Sequence, residues 1–194
     1  PALVKVGETA DGNHVFRVQR DKDGRRIVEN TPVLTKYVRP PKYTDKVLGA
    51  DDKVGCYILC NLIKNKVPGL YVFHVGEECG GKGSTYIAEN TPELVNGMQR
   101  CIAFDRRGTS DIIIEQAGGE CASKEFGDAF AAALNAHMPP FNNYASSTYG
   151  VFTDSANYTH LIEECTNVSV SYKNEHMPRE HFDLQFVEMI LIPA

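Results

Sequence analysis

The sequence predicts an α/β protein, a three-layer α/β/α sandwich around a mixed, largely parallel central sheet. Short apolar runs of strand length alternate with segments whose apolar residues recur at helical spacing. Acidic residues and glycines often follow the apolar runs, as in loops at the carboxyl ends of sheet strands. With 194 residues, 42% of them hydrophobic, the chain can bury one sizeable core. We therefore expect a single domain over residues 1–194.

The composition argues against two classes of partner. Twenty Lys and Arg against 25 Asp and Glu give a net charge of −5, whereas nucleic acids and anionic membranes attract a basic surface. No apolar run approaches the roughly 18 residues of a membrane-spanning helix. The six cysteines are too sparse for a disulfide scaffold and include no C-x-x-C pair. A reducing compartment fits this usage, so we expect a cytoplasmic protein.

The N-terminal part predicts a hairpin and then an extended connection. Residues 13–30 alternate around Asp23-Gly24, a hairpin turn signal. Residues 31–50 hold three prolines and read as a linker. Apolar residues at helical spacing predict a helix from Lys53 to about Asn65. The next apolar run, Leu70–Val75, predicts an interior parallel strand.

The alternation continues to the end of the chain. We expect helices over 83–95, 123–137, 154–162 and 179–190, and strands over 101–104, 112–115 and 166–171. Ser123 is a suitable N-cap for the second of these helices. Residues 138–150 are polar and contain prolines, which predicts a loop.

Four polar segments lie where predicted strands end or predicted helices begin. They contain Asp51-Asp52, Glu77-Glu78, Asp105 and His176. Each also has an ordinary structural interpretation. The Asp pair suits a helix start, the Glu pair a surface turn, Asp105 an ion pair with the arginines that follow it, and His176 a surface loop.

Taken together, the four segments predict a metal site at one edge of the sheet. Several carboxylates and one imidazole suit a divalent cation such as zinc, manganese or cobalt. One carboxylate shared between two ions would form a two-metal site that activates water. A glutamate beside a ligand glutamate would then serve as the general base.

The order of the motifs resembles the co-catalytic zinc exopeptidases, which include zinc aminopeptidases and tripeptide aminopeptidases. The resemblance spans residues 48–183 and consists of G-A-D-D-K-x-G, G-E-E-C-G-G-K-G-S, A-F-D-R-R-G, G-V-F-T-D-S-A-N-Y and E-H-M-P-R-E. No single motif is specific, but all five occur in order. The length is similar to that of compact members without a lid domain, known from bacteria and their phages.

The resemblance implies a role for each matching residue. Asp51 corresponds to the metal-bridging carboxylate and Glu77 to the general base. Glu78 is similar to a ligand of one metal and Asp105 to a ligand of the other. His176 resembles the last histidine ligand.

The resemblance assigns further residues to the site less directly. Asp52 resembles a neighbour of the bridging carboxylate, and Thr153 and Asp154 fall in a loop on the substrate side. His181 is an alternative to His176, although it lies inside the predicted final helix.

One element of the family pattern is missing. The family supplies a further ligand from an H-x-D motif upstream of the bridging aspartate. The only histidine before Asp51 is His14, which is followed two residues later by Phe16 instead of Asp. We expect either that the H-x-D segment precedes Pro1 or that one metal site has been lost, with His14 a weak alternative ligand.

The resulting functional hypothesis is a metal-dependent hydrolase, an aminopeptidase that cleaves short peptides with metal-activated water. The expected cofactor is zinc, two ions if the upstream ligand exists and one otherwise. Peptides and acyl-amino acids both remain open as substrates, and a homo-oligomer is compatible with the sequence. The alternative is a non-catalytic homologue that serves as a binding or assembly module. Retention of both Glu77 and Glu78 favours the enzyme, and absence of H-x-D favours the module.

Overall fold

The computed structural model describes residues 3–8, 14–18, 47–139 and 143–191. The chain forms two compact units, Pro1–Lys36 and Tyr37–Ala194. In the first unit, strand β1 (Leu3–Glu8) pairs antiparallel with strand β2 (His14–Val18). The strand expected at His14 is therefore confirmed, whereas the turn at Asp23-Gly24, its return strand and the connection over 31–46 lie outside the described residues. The single-domain organisation stays a prediction.

The second unit is built on a mixed four-stranded sheet. Its strands are β3 (Arg100–Arg106), β4 (Asp111–Ile113), β7 (Ala145–Ser147) and β8 (Glu164–Ser169). They lie in the order β3-β8-β4-β7. The β3–β8 and β4–β7 pairs are parallel and the β4–β8 pair is antiparallel. A small hairpin of β5 (Glu115–Gln116) and β6 (Gly119–Glu120) follows β4. The predicted fold class is confirmed.

Helices cover both faces of this sheet. They are α1 (Ala50–Lys64), α2 (Lys82–Asn90), α3 (Lys124–Asn135) and α4 (Leu184–Ile190). Short 3-10 helices occupy Glu77–Cys79, Pro92–Leu94 and Asp154–Tyr158. None of the helices in the described residues has the length and apolar character needed to cross a bilayer.

Neighbouring residues of β4 show how the layers are formed. Side chains alternate between the two faces of a strand. Ile112 packs with Ala131 of α3 and Phe186 of α4, whereas Ile113 packs with Ala88 of α2 and Tyr158. The sheet is therefore covered by α3 and α4 on one face and by α2 with the Asp154–Tyr158 helix on the other.

The predicted strand over Leu70–Val75 is wrong. The segment joins no strand pairing among the described residues, and Leu70, Phe73 and Val75 are 50%, 48% and 75% exposed. An apolar run indicates that side chains favour burial. A strand also needs a neighbour that accepts its backbone hydrogen bonds, and residue type alone does not supply one.

Most other differences lie at the ends of elements. α2 ends at Asn90 because Pro92 cannot continue the hydrogen bonding of a helix. The expected loop over 138–150 contains the short edge strand β7, and the helix expected over 154–162 is a shorter 3-10 helix. Ser123 caps α3 as predicted, since its hydroxyl accepts a hydrogen bond from the Phe126 amide at 3.1 Å.

The final helix also starts later than predicted. Residues 179–183 do not join α4, because the backbone groups of His181 pair with those of Lys173. Asp183 then caps α4 by accepting hydrogen bonds from the amides of Gln185 and Phe186. His181 therefore lies in a paired loop and not inside a helix.

Candidate metal centre

Asp51 and Asp52 open α1 in a conformation that is not helical. Their φ, ψ values are −82°, 106° and −121°, 49°, and the peptide bond between them is cis. Asp52 turns back onto the helix, where its Oδ1 accepts a hydrogen bond from the Gly55 amide at 2.9 Å. A Cβ at Gly55 would lie 2.2 Å from the carbonyl oxygen of Phe104 and 2.4 Å from Asp52 Oδ2. Only glycine fits between α1 and β3 at this point.

Glu77 and Glu78 lie on a tight loop rich in glycine. Gly76, Gly80 and Gly81 adopt left-handed φ values of 72°, 87° and 64°, which cost glycine little. The loop is closed by the Gly83 amide, which donates to the carbonyl oxygen of Val75 at 2.9 Å. It therefore returns sharply on itself and carries both glutamates at its tip.

Asp154 holds the two ends of this glutamate loop together. Its Oδ2 lies 3.1 Å from His74 Nδ1, and its Oδ1 accepts a hydrogen bond from the Ser84 hydroxyl at 2.5 Å. The other ring nitrogen of His74 lies 2.6 Å from the hydroxyl of the buried Tyr158. The Asp154 carboxylate thus contacts His74, which precedes the glutamate pair, and Ser84, which follows it.

Asp105 lies near the carboxyl end of β3, where three side chains fix it. The Asn167 amide group accepts from the Asp105 N–H and donates to its carbonyl oxygen, both at 2.9 Å. The Thr153 hydroxyl donates to Asp105 Oδ2 at 2.7 Å. The Tyr172 hydroxyl lies 3.1 Å from the Asp105 carbonyl oxygen and 3.3 Å from Oδ1. Neighbouring strand β8 and the segments that flank it therefore position this carboxylate.

His176 completes a three-residue group. Its Nε2 lies 3.0 Å from Asp51 Oδ2 and 2.8 Å from Glu78 Oε1. Ligand atoms of Asp51, Glu78 and His176 all lie within 4.8 Å of one another, the only such group of three found in the described residues. His176 has a left-handed φ of 60°, a conformation that costs a non-glycine residue energy and is frequent at functional sites.

The three-residue group opens into a cleft of about 410 Å³. Glu77 and Asp105 line the same cleft, together with Arg107 and Glu175, whose side chains form an ion pair of 3.0 Å. An apolar wall of Ile113, Val151 and Phe152 completes the lining. The cleft is therefore acidic on the side of the three-residue group and partly apolar elsewhere.

Burial, followed by neighbouring negative charge, raises the pKa values of three carboxyl groups around the site. Burial raises the pKa of Asp52 to about 9, with the Asp105 charge as the next cause. Burial likewise raises the pKa of Asp105 to about 8, against the effect of the Thr153 hydrogen bond. The pKa of Glu77 rises to about 7 through burial and the neighbouring Glu78 charge. Carboxyl groups whose pKa values are raised by burial and by neighbouring negative charge mark a place where a cation would be stabilised.

His176 and Asp51 complement each other electrostatically. The hydrogen bond to Glu78 raises the pKa of His176, with smaller contributions from Glu78 and Asp51 charges. Burial and the Glu78 charge raise the pKa of Asp51. An imidazole, two carboxylates and a third carboxylate nearby form a donor set that fits zinc or another divalent cation.

The structure brings together most of the residues singled out in the sequence. Asp51, Glu77, Glu78, Asp105 and His176 all line the cleft. Asp52, Thr153 and Asp154 are not among its lining residues, and they contact the Gly55 amide, Asp105 and the glutamate loop instead. His181 is outside the three-residue group, and its Nδ1 lies 3.1 Å from the carbonyl oxygen of Arg179. His14 lies in β2 of the first unit.

Sequence reasoning missed three residues that support the site. Tyr172 and Asn167 hold Asp105, and Glu180 binds the backbone at Gly49 and Asp51. The sequence signal for Asn167 is an amide side chain within the predicted strand 166–171. Glu180 ends the E-H-M-P-R-E motif, but its buried position depends on tertiary packing.

Two solved structures are similar to this chain. PhTET1-12s, a dodecamer, matches with a TM-score of 0.56 and 19% identity over 75% of this chain and 50% of its own. Aminopeptidase APDkam598 from the archaeon Desulfurococcus kamchatkensis matches with a TM-score of 0.50 and 20% identity over 74% of this chain and 45% of its own. No protein-family model matches the sequence, and no curated protein matches it with significance.

These similarities concern the fold. The chain spans about half the length of each of the two proteins. At this level of identity the shared α/β architecture is what the comparison establishes. The fold is thus aminopeptidase-like, and the chemistry must be argued from the site.

Proposed function

We propose that this chain is a metal-dependent hydrolase, an aminopeptidase that acts on short peptides. The observation that carries the proposal is the convergence of Asp51, Glu78 and His176 within 4.8 Å. These residues come from a helix start, a glycine-rich loop and the loop before α4. Three protein ligands with an open remaining position are what a catalytic zinc requires.

The first cation would be held by Asp51, Glu78 and His176. When bound there, a divalent cation would supply Lewis acidity toward a carbonyl oxygen and a water molecule. A second cation would have Asp51 and Asp105 as protein ligands, both oxygen donors, and Asp105 Oδ2 already accepts the Thr153 hydrogen bond. We therefore expect the 194-residue chain to bind one zinc ion tightly and a second one weakly. A longer natural chain with an H-x-D ligand would bind two.

Glu77 is the proposed general base. It lines the cleft beside Glu78 and Asp105 but is not a member of the three-residue group. In the metal-free chain burial and the Glu78 charge raise its pKa to about 7, and a base with a pKa near the working pH transfers protons most effectively. In this role Glu77 takes a proton from the attacking water and delivers it to the leaving amine of the substrate.

The charge, volume and lining of the cleft are evidence for a small substrate with a free amino group. Its lining holds five acidic residues, Asp51, Glu77, Glu78, Asp105 and Glu175, and two basic ones, Arg106 and Arg107, and this acidic excess favours a protonated amine. Its volume of about 410 Å³ is in the range of small-molecule sites. The apolar wall at Ile113, Val151 and Phe152 offers a surface for an uncharged side chain. Acyl-amino acids lack the free amine and are the weaker substrate candidate.

Two further expectations belong to the same proposal. All six cysteines are free thiols, which supports a reducing compartment such as the cytoplasm. The similarity to the dodecameric PhTET1-12s supports a homo-oligomer. The chain covers only half of that protein, so the number of subunits does not carry over from it. Light scattering on the chain itself measures the oligomeric state.

Metal binding and hydrolysis test the proposal together. The chain is stripped with a chelator, titrated with zinc, and assayed on aminoacyl p-nitroanilides and tripeptides. We expect zinc-dependent hydrolysis, and loss of tight zinc binding in Glu78→Gln. Glu175→Gln is the matched control, because it removes a carboxylate from the same cleft outside the three-residue group. A chain that binds no zinc and hydrolyses none of these substrates would overturn the proposal and favour a binding module.

A further inference from the structure

Glu180 is a fully buried carboxylate outside the cleft. Its side chain is 0% exposed and it is not among the residues that line the cleft. Ionised carboxylates are rarely buried completely unless their oxygens are bound. Glu180 Oε2 accepts a hydrogen bond from the Gly49 amide at 2.5 Å, and Oε1 accepts one from the Asp51 amide at 3.1 Å.

These two bonds serve amides that precede the regular part of α1, whose own cap is the Asp52 carboxylate on the Gly55 amide. Such amides have no partner within the helix, and Gly49 has no side chain with which to accept a hydrogen bond. The acceptor comes instead from 131 residues later in the chain.

The same contacts connect two ligand-bearing segments. Glu180 follows His176 by four residues, and its amide donates to the Met177 carbonyl oxygen at 2.9 Å, so the segment is a compact turn. At the other end, Glu180 binds the backbone amide of Asp51 itself. Glu180 thus links the segment of Asp51 to the segment of His176, and the side chains of these two residues lie 3.0 Å apart.

We infer that Glu180 is a positioning residue that holds Asp51 opposite His176 and thereby sets the affinity of the site for zinc. This inference rests on the proposed function, since it assumes that Asp51 and His176 bind a metal. Glu180 would act through the backbone of Asp51 and would contact neither substrate nor metal.

The test compares zinc affinity in Glu180→Gln with that of the unmodified chain. Glutamine has nearly the same shape, but it offers a single oxygen acceptor and turns an NH2 group toward one of the two amides. Loss of an outer contact of this kind typically weakens metal binding about 10- to 100-fold. We expect a rise of that size in the zinc dissociation constant, measured by chelator competition.

Val187→Ala is the matched control for loss of stability. Val187 is 0% exposed and packs in the same core cluster as Ala50 and Val54 of α1. Truncating it weakens the core without touching the hydrogen bonds of Glu180. Its zinc dissociation constant should stay within about twofold of the unmodified value, since a cavity beside α1 removes none of the ligands.

Two results would overturn the inference. One is a folded Glu180→Gln chain, by circular dichroism, that binds zinc as tightly as the unmodified chain. The other, which needs no variant, is rapid hydrogen exchange of the Gly49 and Asp51 amides in the unmodified protein, because amides bound by a buried carboxylate exchange slowly. If the unmodified chain binds no zinc at all, the proposed function itself fails, which is a different outcome.

Discussion

The hydroxyl of Thr153 donates a 2.7 Å hydrogen bond to Asp105 Oδ2, and this bond joins segments 48 residues apart. Thr153 is 2% exposed, so water does not replace its hydroxyl easily. The bond stabilises the charged form of Asp105, because it lowers a pKa that burial raises. Thr153 therefore contributes both to stability and to the charge of the cleft.

Replacing Thr153 by valine tests this relationship. Thr153→Val keeps the shape and removes the hydroxyl, so the partly buried Asp105 carboxylate loses a donor. We expect the free energy of unfolding to fall by about 1–3 kcal/mol, measured by urea denaturation. Thr153→Ser keeps the hydroxyl and should retain most of the stability. Equal stability of the Val and Ser variants would show that the bond contributes nothing.

Glu77→Gln tests the role of the proposed base. Glutamine cannot accept the proton, so turnover should fall by about 10²–10⁴-fold. Zinc content should stay near that of the unmodified chain, because Glu77 is not in the three-residue group. Steady-state rates and metal analysis on the same samples check both statements. Hydrolysis at the unmodified rate would remove Glu77 from the reaction.

The metal-free protein should become less stable as the pH rises from about 4 to 9. In the folded chain the pKa values of Glu77, Asp105 and Asp52 are about 7, 8 and 9, whereas unfolded carboxyls have values near 4. A folded-state pKa above the unfolded value means that the folded chain binds more protons in this window. Each such proton makes the slope negative by at most about 1.4 kcal/mol per pH unit, and Glu77 contributes less because it is partly exposed and water screens its charge.

Urea denaturation in the presence of a chelator, repeated across this pH window, measures the slope. Asp52→Asn removes one of the three titrating carboxyl groups and can keep the hydrogen bond from the Gly55 amide. The stability of this variant should therefore fall less steeply with pH above about pH 4. Adding zinc should reduce the slope further, since a cation replaces the bound protons. Stability that increases steadily with pH in the metal-free chain would contradict the assignment of raised pKa values.

Gly55→Ala should damage both the fold and the site. The added Cβ would lie 2.2 Å from the backbone carbonyl oxygen of Phe104 and within 3 Å of the Asp52 carboxylate. Such overpacking costs about 1–3 kcal/mol, and here it pushes directly on the start of α1. Gly119→Ala is the control, because nothing lies within 4 Å of its added Cβ. Equal melting temperatures of the Gly55→Ala and Gly119→Ala variants would argue against this contact.

His176 allows function to be separated from backbone strain. Its left-handed φ of 60° costs an L-residue about 1–2 kcal/mol, a cost that glycine avoids. His176→Ala and His176→Gly should both lose tight zinc binding. In chelator, His176→Gly should nevertheless be more stable than His176→Ala by about 1 kcal/mol. The opposite order in urea denaturation would mean that the loop relaxes to an ordinary conformation.

The sequence by itself determined the fold class and most of the helices. The stripe that includes Val54 and Ile58 and the Ser123 cap act within a few residues, so local periodicity and capping predict α1 and α3. It also located the polar residues that line the cleft, because Glu77, Glu78 and Asp105 directly follow apolar runs. These are properties of short segments, and each can be predicted from the local sequence alone.

Tertiary structure decided which of those polar residues meet and what holds them. The approach of His176 to Asp51 and Glu78 depends on contacts between segments far apart in the chain, as does the burial of Glu180 against the amides at the start of α1. The apolar run Leu70–Val75 illustrates the same limit, since its residues favour burial but no strand pairs with them in the described part of the chain. Local sequence sets the preference of each residue, whereas long-range packing selects its partners.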